Sequence, residues 1–310
     1  VWRRCMPTVC LLKRSLSNST FSLKLKGSSI NSIRMIPSII ATLATGRAMQ
    51  DLRIFLKSLE IFNPSPPTVY VYCDTVITSV NDFNYPGKLV FKPVLDEYTL
   101  YTRQKMEKMP GKHFKNLWFD FMAEKINLIQ WAFEEGAADV MFCDADICFT
   151  GPLPTIPDTA VLALSPHGIC PADAKKYGYY NGGYLWMREA RLATQWWDSC
   201  AGARFYEQSA LEDLATAVKP EELYEFPVTE NYGWWRLWQG IRTPPELVRE
   251  WATDKNVGGS GITINGTRLG SVHTHFHEKG DIATRLFNEF VIKHLVKSHE
   301  PARRLLDAVQ

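Results

Sequence analysis

Two aspartates one residue apart, Asp144 and Asp146, follow the apolar run Met141-Phe142-Cys143. Where the chain leaves an extended strand, side chains at i and i+2 share a face, roughly 7 Å apart. A turn there brings both carboxylates near one point. Two anions so placed repel each other unless a proton or a cation intervenes. Hard carboxylates suit Mg2+ or Mn2+, ions that also bind substrate phosphates. The competing reading makes the two aspartates turn residues ahead of Gly151-Pro152. A second group is Ser271-Val272-His273-Thr274-His275-Phe276-His277, which alternates three imidazoles onto one face of a strand. Neutral imidazole is a common metal ligand. A solvated edge strand would explain one such histidine; three in five positions favour a metal or phosphate site.

Lys125 lies between Phe121 and Ile129 on an apolar helical stripe. A charge aimed at a core is costly unless it is paired or used; the alternative is a lysine that snorkels outward. The stretch Asn231-Tyr232-Gly233-Trp234-Trp235-Arg236-Leu237-Trp238 is dense in aromatics that could line a sugar cleft, as could Tyr177, Tyr179 and Tyr180. Core packing is the ordinary role of such side chains.

The elements that must hold these groups follow from periodicity. Ser38–Thr45 reads as a buried strand, Arg47–Phe62 as an amphipathic helix, and Thr68–Cys73 as a second strand. Strand, helix, strand predicts a parallel pair with a right-handed crossover. Lys88–Val94 reads as a third strand, Phe114–Glu135 as a long helix and Asp139–Cys143 as a short strand carrying the acidic pair. Further strands are expected at Ala160–Ser165, Tyr184–Met187 and Gly270–Phe276, and helices at Ala190–Ala201, Gln208–Val218 and Asp281–Lys297. In an open α/β sheet, ligands bind beyond the carboxyl ends of the strands, where Asp144 and Asp146 fall.

The 310 residues are 45% hydrophobic and 22% charged, which argues against a disordered or fibrous chain. No apolar run reaches 18 residues, so a spanning helix is not expected. A net charge of +2 gives no general case for nucleic-acid binding. The charge is uneven. Eight of the 35 basic residues and none of the 33 acidic ones fall within the first 50 positions, so the remainder carries −6. Residues 1–36 read as a basic, Ser-rich, disordered leader. A transit peptide has that composition, and so does upstream sequence before a start at Met35. Residues 37–300 then form one domain and 301–310 a tail. Seven cysteines without CxxC spacing are not a disulfide framework. They favour a reducing, cytoplasmic setting; Asn-x-Ser/Thr triplets at Asn18 and Asn265 point instead to a secretory lumen.

Taken in order, these motifs resemble the GT-A nucleotide-sugar glycosyltransferases, in particular the retaining families that include glycogenin and the bacterial lipopolysaccharide galactosyltransferases. The similarity runs from about Pro37 to Lys279. It implies an α/β fold: one Rossmann-like domain with a mixed, mostly parallel central sheet flanked by helices. Ala41-Thr42-Leu43-Ala44-Thr45 is similar to the family's nucleotide-binding first strand. Asp144-Ala145-Asp146 matches its DxD, which implies Mn2+ or Mg2+ against the donor diphosphate. Asn181-Gly182-Gly183 resembles its Asn-x-Gly turn beside the sugars. Glu207-Gln208-Ser209-Ala210-Leu211-Glu212 resembles Asp-Gln-x-x-Leu-Asn but departs from it at both ends. His273 with Lys279 resembles the family's metal-binding histidine and phosphate-binding lysine. Phe276 stands where the family has glycine, which leaves His275 and His277 as rival ligands.

The resemblance implies a metal-dependent transferase that takes a nucleotide-diphosphate sugar, a UDP-sugar by preference, to a carbohydrate, protein or lipid acceptor with retention. It places Lys125 against the donor and Gln208 near the reactive face of the donor sugar. The residues themselves leave an inverting route open, with Glu207, Glu212 or Asp213 as base. Two other classes compete. A nucleotidyltransferase would carry a richer basic loop than Gly46-Arg47, and an inactive carbohydrate-binding relative would have lost the aspartates.

Overall fold

In a computed structural model of the chain, the described residues are 34–80, 83–298 and 300–309; most of the expected leader lies outside them. In chain order the elements that matter for the site are β1 (Ile39–Ala44), α1 (Met49–Phe62), β2 (Thr68–Cys73), β3 (Leu89–Pro93), α2 (Leu117–Glu134), β4 (Val140–Cys143), β5 (Ile147–Phe149), β6 (Leu162–Pro166) and β7 (Tyr180–Met187). They continue with α3 (Ala190–Ser199), α4 (Tyr206–Ser209), β8 (Leu223–Glu225), β9 (Tyr232–Gly233), β10 (Ser271–His273), α5 (Ile282–Lys297) and α6 (Glu300–Val309).

The central sheet has seven strands in the order β8-β6-β7-β4-β1-β2-β3. Pairings of β1 with β2 and β4, of β2 with β3, and of β6 with β8 are parallel; only β7 runs against its neighbours. The expected mixed, mostly parallel sheet flanked by helices is therefore what the chain forms. Alternation along β1 divides the core: Ile40 and Ala44 face one apolar cluster with α1, while Ala41 faces the other with α2. The strand lies at the middle of the sheet, so both faces must be apolar.

Two stitches set the position of the strands that flank the acidic pair and carry His273. The Ser58 hydroxyl of α1 accepts from the Phe149 amide at 3.0 Å. β5 pairs antiparallel with β10, opposing Ile147 to His273, and β10 pairs with β9. This small sheet carries a C-terminal imidazole to the loop that follows β4.

Several elements differ from the sequence reading. The Asn-Gly-Gly run is inside β7 rather than in a turn, because the strand begins at Tyr180. Its register against β6 jumps from Leu164–Leu185 to Ser165–Asn181, so residues 182–184 bulge out of that ladder. The expected helix Gln208–Val218 is broken into Tyr206–Ser209 and Leu211–Thr216. The histidine strand stops at His273, which removes the shared face expected for all three imidazoles. Arg34–Met35, assigned to the leader, pair with Ile156–Pro157. The supposed tail 301–310 contributes α6, which buries Ala302, Leu305 and Val309 at helical spacing and joins Arg304 to Glu60 of α1 at 2.7 Å.

Candidate active site

Asp144 is the first residue after β4, and Asp146 the last before β5. The Asp144 amide donates to the Gly183 carbonyl at 2.9 Å, and the Thr274 amide donates to the Asp146 carbonyl at 3.0 Å. One aspartate is thereby fixed to β7 and the other to the end of β10. Because β7 runs antiparallel, its first residues lie beside the carboxyl end of β4. Asn181-Gly182-Gly183 and the acidic pair therefore share one edge of the sheet.

His273 completes the group. Its Nε2 lies 3.1 Å from Asp146 Oδ1 and 3.9 Å from Asp144 Oδ2. One ligand atom from each of Asp144, Asp146 and His273 falls within 4.8 Å of the others. The His273 Nδ1 is 2.8 Å from Asn231 Oδ1. The Asn231 amide nitrogen donates to Ser165 Oγ and to Asn181 Oδ1, both at 3.0 Å, so its oxygen must accept. Nδ1 of His273 therefore carries a proton, and Nε2 is the ring nitrogen turned toward the two carboxylates.

This donor set fits a hard divalent cation. Two carboxylates and an imidazole nitrogen converge, and such a group needs positive charge among its members. Gly183 keeps the space open: a Cβ there would collide with Asp144 Oδ2 and come within 2.8 Å of the His273 ring. Burial works against ionised Asp146, but the imidazoles of His273 and His275 hold its carboxyl below the usual carboxylate range.

His275 stands apart from the three. It is more than half exposed and pairs with Asp51 at 2.9 Å and with Asp146 at 3.4 Å. Those acids, Asp146 foremost, raise its pKa to about 10. His277 is exposed, and Lys279 is exposed without an ion-pair partner among the described residues. A cavity of about 420 Å3 is lined by Arg47, Gln50, Asp51, His275 and His277.

Lys125 is fully buried. Its ammonium lies 2.7 Å from Glu207 Oε1, 3.6 Å from Asp144 Oδ1 and 3.2 Å from the Gly182 carbonyl. Burial opposes its charge, yet Asp144 and Glu207 raise its pKa above the ordinary lysine value. The other oxygen of Glu207 is buried and has no hydrogen-bond partner among the described residues. Trp196 Nε1 holds the Glu207 carbonyl at 2.8 Å. Tyr206, just before it, adopts φ 46°, a strained conformation for a bulky residue.

The Gln208 amide is engaged at both ends. Its oxygen accepts from the Gly182 amide at 3.0 Å, and its nitrogen donates to the Tyr177 carbonyl at 2.7 Å. Asn181 is buried, and its oxygen also accepts from the Gly183 amide at 3.0 Å. In β1, Ala41, Thr42 and Ala44 are buried, the Thr42 hydroxyl has no partner among the described residues, and Thr45 stands half-buried at the strand's end. The Trp235 ring meets His273 edge-on with centroids 4.9 Å apart, while Trp234 and Trp238 pack partly buried against the core.

Asn231 and Asp51 were not singled out from the sequence. Asn231 is fully buried at φ 53°, a left-handed conformation that asparagine tolerates better than most residues. It joins His273, Asn181 and Ser165. An asparagine ahead of an aromatic run carries no chemical signature until those partners surround it.

No family model and no curated protein sequence matches the chain. Solved structures do resemble it. The galactosyltransferase LgtC, in complex with donor and acceptor sugar analogs, is 14% identical, with 81% of this chain and 94% of that one covered at TM-score 0.48. Mouse xyloside xylosyltransferase 1 is 11% identical, with 79% and 98% covered at TM-score 0.41. The apo form of the glycosyltransferase GlyE of Streptococcus pneumoniae TIGR4 is 11% identical, with 87% of this chain and 62% of that one covered at TM-score 0.50. At such identity the likeness to GlyE is one of fold, and together with the sheet order it establishes that this chain has the GT-A glycosyltransferase fold.

Proposed function

We propose that the chain is a metal-dependent glycosyltransferase that takes a sugar from a nucleotide diphosphate, a UDP-sugar by preference. The observation that carries this reading is the convergence of Asp144, Asp146 and His273 within 4.8 Å at the carboxyl edge of the central strands. These three residues would hold Mn2+ or Mg2+. When bound, the ion supplies Lewis-acid stabilisation to a diphosphate leaving group as the sugar–phosphate bond breaks.

The protein's own groups do the rest. Asn231 fixes the tautomer and the orientation of His273. Lys125 holds Asp144 and Glu207 in one geometry, so neither carboxylate must reorganise during the reaction. The second Glu207 oxygen, buried and without a partner among the described residues, keeps acceptor capacity beside Lys125. Arg47 and His277, which line the neighbouring cavity, would hold the nucleotide, and Lys279, exposed on the loop before α5, would add a charge for its phosphates. Gln208 and Asn181 shape the strand edge beneath the sugar. Glu207 is committed to Lys125 and Glu212 to Arg204, at 2.6 Å. Of the three acids considered as a base, exposed Asp213 is in no ion pair among the described residues, so retention rests on the resemblance to the retaining families.

The test is nucleotide release from a panel of sugar nucleotides with Mn2+. Slow release is expected in the wild type, falling by about 100-fold or more in Asp144→Ala and His273→Ala, the scale of a lost Lewis acid. Release undiminished in both variants would overturn the assignment.

A further inference from the structure

Beyond the metal site, the molecule contains a cavity of about 440 Å3 whose wall includes Tyr179, Val228, Tyr232, Ile241 and Arg236. Arg236 is 7% exposed. Its Nη2 donates to the Pro166 carbonyl at 2.8 Å, and its Nε is buried with no partner among the described residues. The acid on the cavity wall, Glu250, is already taken by Arg242. A buried cation without a counter-ion is costly to maintain, and proteins seldom keep one unpaired. Burial lowers the guanidinium pKa to about 10, which still leaves it charged at neutral pH.

We propose that this cavity binds an organic anion, its carboxylate or phosphate docked on Arg236 and its body against Tyr179 and Ile241. A planar guanidinium is the side chain best shaped for either group. The remaining wall is largely apolar, and Tyr179 and Ile241 are 47% and 77% exposed, so the cavity is reachable from solvent. Two of its lining residues are near neighbours in sequence of residues at the candidate active site. Tyr179 precedes Asn181 by two residues, and Arg236 follows Trp235, whose ring meets His273. On the glycosyltransferase reading, on which the ligand's role rests, the anion belongs to the acceptor, which is then an acidic sugar or a phosphate-bearing glycan.

The full chain is titrated calorimetrically with glucuronate, glucose 6-phosphate and glucose. At least one anion is expected to saturate, with glucose at least about tenfold weaker; which anion binds tighter distinguishes carboxylate from phosphate. Arg236→Gln should abolish binding, but the residue also braces Pro166, so a second variant carries the test. Ile241→Glu introduces a competing carboxylate at an exposed position. It should weaken anion binding by about tenfold with an unchanged melting temperature. Equal binding of glucose, no binding of either anion, or an anion affinity untouched by Ile241→Glu would each overturn the proposal. Nucleotide release is followed on the same wild-type samples. Anion binding without release supports the cavity and refutes the transferase reading; release without anion binding refutes the cavity alone.

Discussion

Lys125 and Gly183 show how single residues constrain the candidate site. Removing the Lys125 ammonium leaves Glu207 as a buried, uncompensated anion beside Asp144. Lys125→Met is therefore expected to lower stability by about 3 to 5 kcal/mol. The double variant with Glu207→Leu should recover part of that loss, because the orphaned charge is gone. Urea unfolding of both variants measures this, and a single variant as stable as wild type would show that the pair is not coupled. Gly183→Ala acts differently, since its new methyl meets Asp144 and His273 rather than the core. It should weaken Mn2+ binding by about tenfold or more; equal affinity by titration would mean the ligands can move aside. At this scale the sequence was informative where residue types clash with their surroundings. Asp144-x-Asp146 after an apolar run, and a lysine on an apolar stripe, are both conspicuous. Asn231 is not, because its importance lies in three partners distant in sequence.

Strands and helices explain which of those residues meet. β1, β2 and the helix between them were legible because continuous apolar runs and a 3.6-residue period leave few alternatives. The antiparallel course of β7 was not, since Asn-Gly-Gly carries the signature of a turn. Its glycines lie in a bulge where Cβ atoms would meet Glu207 and Asp144. The helix at the C-terminus was readable in principle: Ala302, Leu305 and Val309 follow helical spacing, but a charged, proline-containing start disguised it. Leu305 is fully buried in the cluster shared with α1. Leu305→Ala should cost about 2 to 5 kcal/mol. Thermal unfolding checks this, and an unchanged melting temperature would show that α6 is dispensable.

For the whole molecule, one buried carboxyl should make stability fall as pH rises from about 4.5 to about 7. Glu230 is buried, and desolvation lifts its pKa to about 7, against the ordinary 4.5, while the Tyr184 hydroxyl donates to it at 2.8 Å. The folded state then holds a proton that the unfolded state has released. Its stabilising contribution is complete below pH 4.5 and is lost as pH rises through about 7, a swing of about 3 kcal/mol. Glu230→Gln should flatten that part of the profile in urea unfolding at pH 5 and pH 8; an identical profile would contradict it. The tertiary arrangement also unites what the chain separates by more than a hundred residues, drawing β4, β7 and β10 to one edge of the sheet. The most direct test of that convergence is Mn2+ binding followed by loss of the free-ion paramagnetic resonance signal. One ion per chain is predicted for the wild type, with binding abolished in Asp144→Asn/Asp146→Asn and weakened by His273→Ala. Unchanged stoichiometry and affinity in the double variant would contradict the account.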